Sequence, residues 1–441
     1  MDIIIVLQGL GQCLDKTTLH QLTCIASALL AMTGRVTMLG ISRWTEQGGS
    51  YRTIQRFFNT AIVWSQVHWF IIRHHLLDRD SPVLLGGDET VVTKAGDQTY
   101  GLDRFFSSLY GKPVPGLAFF GLFLISIKQR CSYPVMLEQV IKQKEKTSMI
   151  KDGLTVPQPL KSAKGRPGRP KGSQNKNRRE VQLSPYLLQI QQMIQTLLAL
   201  LGVELKLVYC VLDGAFGHND TFQMVRQCGL HLISKLRTDA ALYLPYDGLQ
   251  KKYGSRKKYG PKLDYANLSS QYLKVSTLKA GFQIDIYQMM GWHKRFADPL
   301  NVVIIVKTNI KTQARAQVIL FSSDLTLAYE LLLDYYGLRF QLEFNFRDAK
   351  QFWGLEDFMN VNQRPVYNAA HLAMLMVNLS QVLVRQFRQT TPTFSVLDLK
   401  AHFRGRKYLV EMLKLLPQKP EPIFIEHMFA NIARIGSINA T

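Results

Sequence analysis

Four residues of the 441-residue chain have the types and spacing of a working surface: Tyr336, Arg339, Glu343 and Lys350. Their offsets of 0, 3, 7 and 14 place them, at about 100° per residue, within a ~60° arc of one helix. A single stripe then carries a phenol, a guanidinium, a carboxylate and an ammonium. Leu333, Phe340 and Phe344 give it an apolar shoulder that could press it into a cleft. At ~1.5 Å per residue the stripe is ~21 Å long, comparable with several nucleotides of phosphodiester backbone. Arginine suits bidentate phosphate contact and lysine acts as a mobile point charge. A solvated helix face of intrahelical ion pairs would have the same composition.

The elements that position this stripe follow from periodicity. The stretch from Leu325 to about Gln351 is strongly helical. Residues 1–76 carry apolar residues at three- and four-residue spacing, so they read as helical. Within them SYRTIQRFF (50–58) puts Arg52, Gln55 and Arg56 on one face and Ile54, Phe57 and Phe58 on the other. That is a groove-reading helix or an amphipathic bundle helix with a solvated face. From Ser81 the period changes: PVLLGGDETVV reads as a strand, Thr99 to Arg104 as a possible second, and GLAFFGLFLISI as a buried third. Pro185 to Leu201 is helical and ELKLVYCVLD (204–213) a strand. HNDTFQMVRQCG is a helix with Asn219 or Asp220 as N-cap and Gly229 past its end, and HLISKLR (231–237) is a last strand. Residues 77–237 thus follow an α/β pattern. Residues 238–323 change to short β-like runs, an inserted antiparallel β unit. A helical piece at 324–357 bears the stripe. A second apolar helix at 364–388 opens a helical region at 358–441, with a basic patch at Arg404, Arg406 and Lys407.

Charge narrows the partner. Fifty-four Lys and Arg against 32 Asp and Glu give +22, which points to a polyanion. Residues 142–180 hold a net +9 and residues 251–262 a further +6, so two segments carry most of the excess. Apolar residues make up 46%, enough for sizeable cores. The opening MDIIIVLQGL lacks a basic n-region, and the longest clean apolar run, Gly116 to Ile127, is short of the about 20 residues a membrane span needs. No membrane partner is expected. Five cysteines without a CxxC pair suit buried thiols in a reducing, cytoplasmic compartment. Cys228 and His231 have a metal-like gap, but a zinc site needs four ligands and no second pair accompanies them.

Tyr336-x2-Arg339-x3-Glu343-x6-Lys350 matches the YREK signature of bacterial insertion-sequence DDE transposases, and the resemblance extends upstream. GGDET, with Asp88 on the first expected strand, resembles that family's first-aspartate motif. VLDGAF, with Asp213 ending the fourth, resembles its second. The resemblance covers roughly residues 81–355. It implies an RNase H-like α/β core in which Asp88, Asp213 and Glu343 meet, with a β insertion between the second Asp and the Glu. The 129 residues between Asp213 and Glu343 hold the β-rich segment. Three converging carboxylates repel one another unless cations offset them, and hard oxygen ligands favour Mg²⁺ or Mn²⁺. Asp88, Asp213 and Glu343 are therefore the expected catalytic residues and metal ligands, and two ions could serve an in-line phosphodiester displacement.

By the same resemblance, Tyr336, Arg339 and Lys350 would hold phosphates near the cleaved end. Trp292, the one tryptophan of the insertion, is a candidate for stacking on a base, or a partly buried β-unit residue. Glu89 and Thr90 neighbour the first aspartate and could support it, whereas Asp97 and Asp103 read as surface residues. Within 142–180 the run KGRPGRPKGSQNKNRR (164–179) resembles an AT-hook, with Arg166, Arg169 and Lys171 as minor-groove or phosphate contacts. The partners implied are double-stranded DNA, as transposon terminal inverted repeats and target, and a second copy of the chain. In a bacterial cell it would be cytoplasmic and nucleoid-associated when bound to DNA. A catalytically inactive transposase-derived DNA binder and an RNase H-like nuclease without strand transfer are the competing readings. The intact acid set argues against the first and the basic stripe against the second.

Overall fold

The computed structural model describes the chain except residues 1–2, 46–48, 79–80, 108–109, 143–176, 419, 433–434 and 439–441. Arg166, Arg169 and Lys171 of the hook-like run lie outside the described residues.

The apolar run after Ser81 forms β1 (Val83–Thr93), which pairs antiparallel with β3 (Lys112–Ser126) and parallel with β5 (Tyr209–Leu212). β4 (Cys131–Val140) lies antiparallel beyond β3, and β6 (His231–Leu236) parallel beyond β5. The order β4-β3-β1-β5-β6, antiparallel in its first three strands and parallel in its last, is that of an RNase H-like core. Helices α6 (Pro185–Leu201) and α7 (Asn219–Gln227) occupy the expected crossovers. Ser184 caps α6 by accepting from the Leu187 N–H, with Pro185 at its first position.

Local details depart from the expectation. The possible second strand runs Asp103–Ser107 (β2), later than expected, and pairs with the start of β3. β4 was not anticipated. The strand expected over 204–213 is confined to Tyr209–Leu212. The N-cap of α7 is His218, whose ring nitrogen accepts from the Thr221 N–H, rather than Asn219 or Asp220. Of the five cysteines only Cys210 is fully buried.

The insertion supplies β7 (Leu242–Pro245), β8 (Tyr259–Lys262), β9 (Leu273–Lys279), β10 (Phe282–His293), β11 (Leu300–Asn309) and β12 (Arg315–Ser322). β12 returns to pair with β6, Ile319 opposite Leu236 through Ser322 opposite Ile233, so insertion and core share one 12-stranded sheet. Ile304, Val302 and Phe321 are buried along this extension, as the β-branched and aromatic composition requires.

Before the sheet come α1 (Ile3–Gln8), α2 (Lys16–Ala31), α3 (Met38–Trp44), α4 (Tyr51–Asn59) and α5 (Trp64–Ile71), the last running into a π turn to Leu76. On α4 the apolar face (Ile54, Phe57, Phe58) is buried and Arg52, Gln55 and Arg56 are exposed, the division the spacing requires. After the sheet come α8 (Tyr329–Leu338), α9 (Phe340–Phe352), α10 (Gln363–Phe387), α11 (Val396–Leu415) and α12 (Pro422–Ile432). The single helix expected over 325–351 is two. They meet at Arg339, where bonds from the Arg339 N–H to Tyr336 O and from the Leu342 N–H to Arg339 O tighten the backbone.

The two helical regions interlock behind the core. The Trp64 indole N–H donates to Asn368 Oδ1 (2.7 Å), and Asn368 Nδ2 donates to the carbonyls of Phe58 and Thr60. Below it His371 Nε2–H donates to Leu137 O, His68 Nε2–H to His371 Nδ1 (3.3 Å), and Asn378 Nδ2 to His68 Nδ1 (3.1 Å). This direction satisfies every ring nitrogen with both imidazoles neutral. Just past α9 the Val36 N–H donates to Asp357, and Gly354, at φ +78°, lies so close to Val36 that a Cβ would fall 2.2 Å from its Cβ. Gly354→Ala is expected to cost about 2–3 kcal/mol from the left-handed backbone plus the clash. Gly34→Ala shares the positive φ but has open space, and should cost only about 1 kcal/mol. Equal thermal shifts for the two variants would rule out the Val36 contact as a constraint.

Candidate active site

The register of β1 and β5 brings the two aspartates together. Gly87 pairs with Leu212 in parallel, so Asp88 and Asp213 each follow by one residue and stand side by side on neighbouring strands, ~4.8 Å apart in backbone. Gly86 shares a face with Asp88, since side chains alternate along a strand. A Cβ on Gly86 would lie 3.1 Å from both methyl carbons of Leu342 and 2.7 Å from Ile125 Cδ1. The missing side chain therefore lets α9 settle onto β1 and brings Glu343 to the aspartates. α9 is fixed on its far side by Asn345, which donates to Ser132 O and Oγ and accepts from Gln381, and by Phe346 edge-on to Phe123.

The acids are joined by Arg339. Its Nη1 donates to Asp88 Oδ2 at 2.8 Å and its Nη2 to Glu343 Oε1 at 3.1 Å. Asp88 and Arg339 side chains are each 17% exposed and Glu343 46%, so the guanidinium works at the shielded end of the site. Burial pushes the Asp88 carboxyl up to about 6. Asp213 and Glu343 push the same way, and Arg339 and the Glu89 N–H pull it down. Asp213 Oδ1 accepts from the Ala215 N–H, and Ser234 Oγ donates to the Asp213 carbonyl, which sets the turn that presents the acid. Tyr336 is half-buried within the field of both aspartates, its phenol pKa raised by burial first. Lys350 Nζ donates to Val91 O (2.7 Å) and pairs with Glu356 (3.2 Å).

Two grooves open on this cluster. One, of about 740 Å³, is lined by Asp88, Asp213, Glu343, Arg339 and Lys350 together. The other, of about 880 Å³, runs from Asp88, Asp213 and Lys350 past Tyr186 to the exposed rings of Phe106 and Tyr110. Tyr186 and Glu356 carried no sequence signal; Tyr186 donates its hydroxyl to Glu89 at 2.7 Å, and its phenol pKa is raised by burial and then by that carboxylate. Thr90 is buried beside them, while Asp97 is exposed and Asp103 half-buried on β2, and neither lines a groove.

Trp292 is not brought to the acids. It lies half-buried on β10, edge-on to Tyr259 with Lys258 over its ring, and lines neither groove. Five strand steps separate β10 from β1, ~24 Å at the usual spacing. The basic segment is moored near the site at both described ends. Lys142 donates to Arg104 O on β2 and covers the Phe105 ring. On the returning side, Arg178 O accepts from Asn219, and Arg179 joins Arg226 on the carboxylate of Asp298. The second run is exposed from Lys251 to Lys258.

Asp88, Asp213 and Glu343 offer only carboxylate oxygens, the donor set of a hard divalent cation. Among the described residues no three His, Cys, Asp or Glu side chains are already gathered into a metal-holding group. Arg339 meets part of the need for positive charge by spanning Asp88 and Glu343. The residues fit a divalent ion in kind, with Arg339 set between two of them. Among the described residues no helix is long and apolar enough to cross a membrane.

A family model described as DDE superfamily endonuclease matches residues 9–299. The matched span contains Asp88 and Asp213 and ends before Glu343. No curated protein matches the chain.

Proposed function

The chain belongs to the DDE superfamily of endonucleases, and from that premise we propose that it is a DNA transposase that cleaves transposon ends and joins them to target DNA. Members of this superfamily act on DNA and generally use divalent metal ions. The observation that carries the reading is the meeting of Asp88 and Asp213 at one level of two parallel strands, with Glu343 tied to Asp88 through Arg339. Asp88, Asp213 and Glu343 would hold Mg²⁺ or Mn²⁺. When bound, such ions supply Lewis-acid charge at the attacking and leaving oxygens of a phosphodiester.

The remaining work falls to the chain's own groups. A DNA phosphate entering the groove competes with Asp88 and Glu343 for the Arg339 guanidinium, which presents a planar fork of donors matched to its oxygens. Lys350, one groove wall away, adds a mobile positive charge, and Tyr336 adds a hydroxyl beside the same acids. The two exposed or moored basic segments hold the rest of the duplex through phosphate contacts, so binding weakens steeply with salt. A nuclease that stops after cleavage would need only the acids. The cationic stripe and the length of basic chain around the site favour a protein that retains its cut end for a second step.

Incubating the protein with Mg²⁺ and inverted-repeat ends of its own element tests this. Nicks at the ends plus joined products support transposition. Cleavage without joining leaves a nuclease, and binding alone leaves an inactive DNA binder.

A further inference from the structure

We propose that the β2–β3 hairpin grips unpaired nucleotides of the strand being cut, with Phe106 and Tyr110 as stacking platforms for their bases. The observation is the course of the larger groove. It begins at Asp88 and Asp213, passes Tyr186 and Phe216, and ends at Phe106 and Tyr110. Side chains alternate along β2, so Phe105 is turned inward and buried while Arg104 and Phe106 share the outward face. Phe106 is 64% exposed and Tyr110 54%, so most of each side chain is open to a partner. Asp88 lies opposite Gly121 of β3 and Phe106 opposite Pro113, eight residues along the same strand. At ~3.4 Å per residue the rings stand up to ~27 Å from the acids, the length of about eight stacked nucleotides.

Chemistry selects an opened strand as the occupant. Arg104 and Lys112 are exposed beside the rings, and Lys142 comes in over Phe105. Positive charge interleaved with accessible rings binds a single strand, its phosphates on the cations and its bases on the rings. In a duplex the base faces are stacked on one another and cannot meet a side-chain ring. A groove of about 880 Å³ has the volume of a small-molecule cleft, enough for a few nucleotides of one strand and too small for a double helix. An apolar peptide would bury Arg104 and Lys112 without offering them a counter-charge. The hairpin's role rests on the proposal that DNA is cut at the acids, and it requires only that a strand be opened there, whichever step follows.

Fluorescence anisotropy of the full chain without divalent metal tests this apart from cleavage. Two probes of about 30 base pairs carry one sequence, an inverted-repeat end of the chain's own element; one is fully paired and the other has about eight terminal pairs mismatched. The wild-type chain should bind the mismatched probe at least ~10-fold more tightly. Phe106→Ala/Tyr110→Ala should lose that preference while keeping affinity for the paired probe within about twofold, which also reports that it has folded. Phe106→Trp/Tyr110→Trp should retain the preference, because a larger ring stacks at least as well. Equal binding of the two probes by the wild-type chain overturns the hairpin's role and leaves the transposase reading standing, as does a preference that survives in the alanine variant. A chain that binds neither probe overturns both. A chain that prefers the mismatched probe but yields no joined product keeps the hairpin's role and loses the transposase one.

Discussion

Asp88→Asn is expected to abolish strand cleavage, by at least ~10³-fold, and at the same time to raise the melting temperature. The first effect follows from the role proposed for the carboxylate, since an amide is isosteric but neither carries the charge nor ligates a hard cation comparably. The second follows from its surroundings. The folded pKa is pushed from 3.8 up to about 6, so the folded state binds the proton more tightly than the unfolded chain. Stability from this group is full below about pH 3.8 and lost as the pH rises to about 6, a deficit of about 3 kcal/mol at pH 7. Removing the charge returns part of it, about 1–3 kcal/mol after the amide's poorer fit to Arg339. Asp213→Asn and Glu343→Gln should abolish cleavage too, all three variants keeping DNA affinity within about threefold. A nicking assay with Mn²⁺ and a thermal melt decide the matter: normal cleavage by Asp88→Asn removes Asp88 from the proposed role, and a lower melt contradicts its raised pKa.

Mild acid is expected to destabilise the protein through its buried histidine pair. His68 and His371 are enclosed and neutral; burial drives His68 down to about 3 and His371 well below the usual imidazole value. A depressed imidazole pKa means the unfolded chain takes up the proton and the folded chain does not. The pair's contribution is full above about pH 6.5 and is lost as the pH falls below it. At about 1.4 kcal/mol per pH unit His68 alone loses about 2 kcal/mol between pH 7 and pH 5, and His371 adds to this in the same direction. His402, lowered to about 4, acts with the same sign, while Asp88 opposes by about 1 kcal/mol as it regains its proton. Urea titrations at the two pH values measure the change, and a chain equally stable at both would contradict the buried neutral pair.

The site was more legible than the frame that holds it. Tyr336, Arg339, Glu343 and Lys350 declare themselves by a helical repeat, and Asp88 by a strand with two glycines before it. The structure gives those glycines a purpose, the close approach of Leu342. β4 escaped notice because Pro134, Glu138 and Gln139 interrupt its apolar pattern. In the sheet Pro134 sits where the register against β3 shifts, at a bulge that tolerates a residue without an N–H. The break at Arg339 left no mark either, because no Gly or Pro signals it and both flanks favour helix. His218 is an uncommon N-cap, so the neighbouring Asn and Asp drew the assignment. Trp292 lies half-buried on β10, five strands from β1, a distance set by pairing between strands that local pattern does not show.

The interlocked helices also set a timetable for synthesis. Trp64 finds its partner Asn368 304 residues later, His68 meets His371 after 303, and Leu29 receives Lys400 after 371. A chain emerging from the ribosome at about 5–20 residues per second therefore holds its first helices unfinished for tens of seconds, their apolar faces awaiting α10 and α11. Helix α9, docked between β4 and α10, is completed in the same late step. A chain ended before it carries both aspartates without Arg339 and Glu343 beside them.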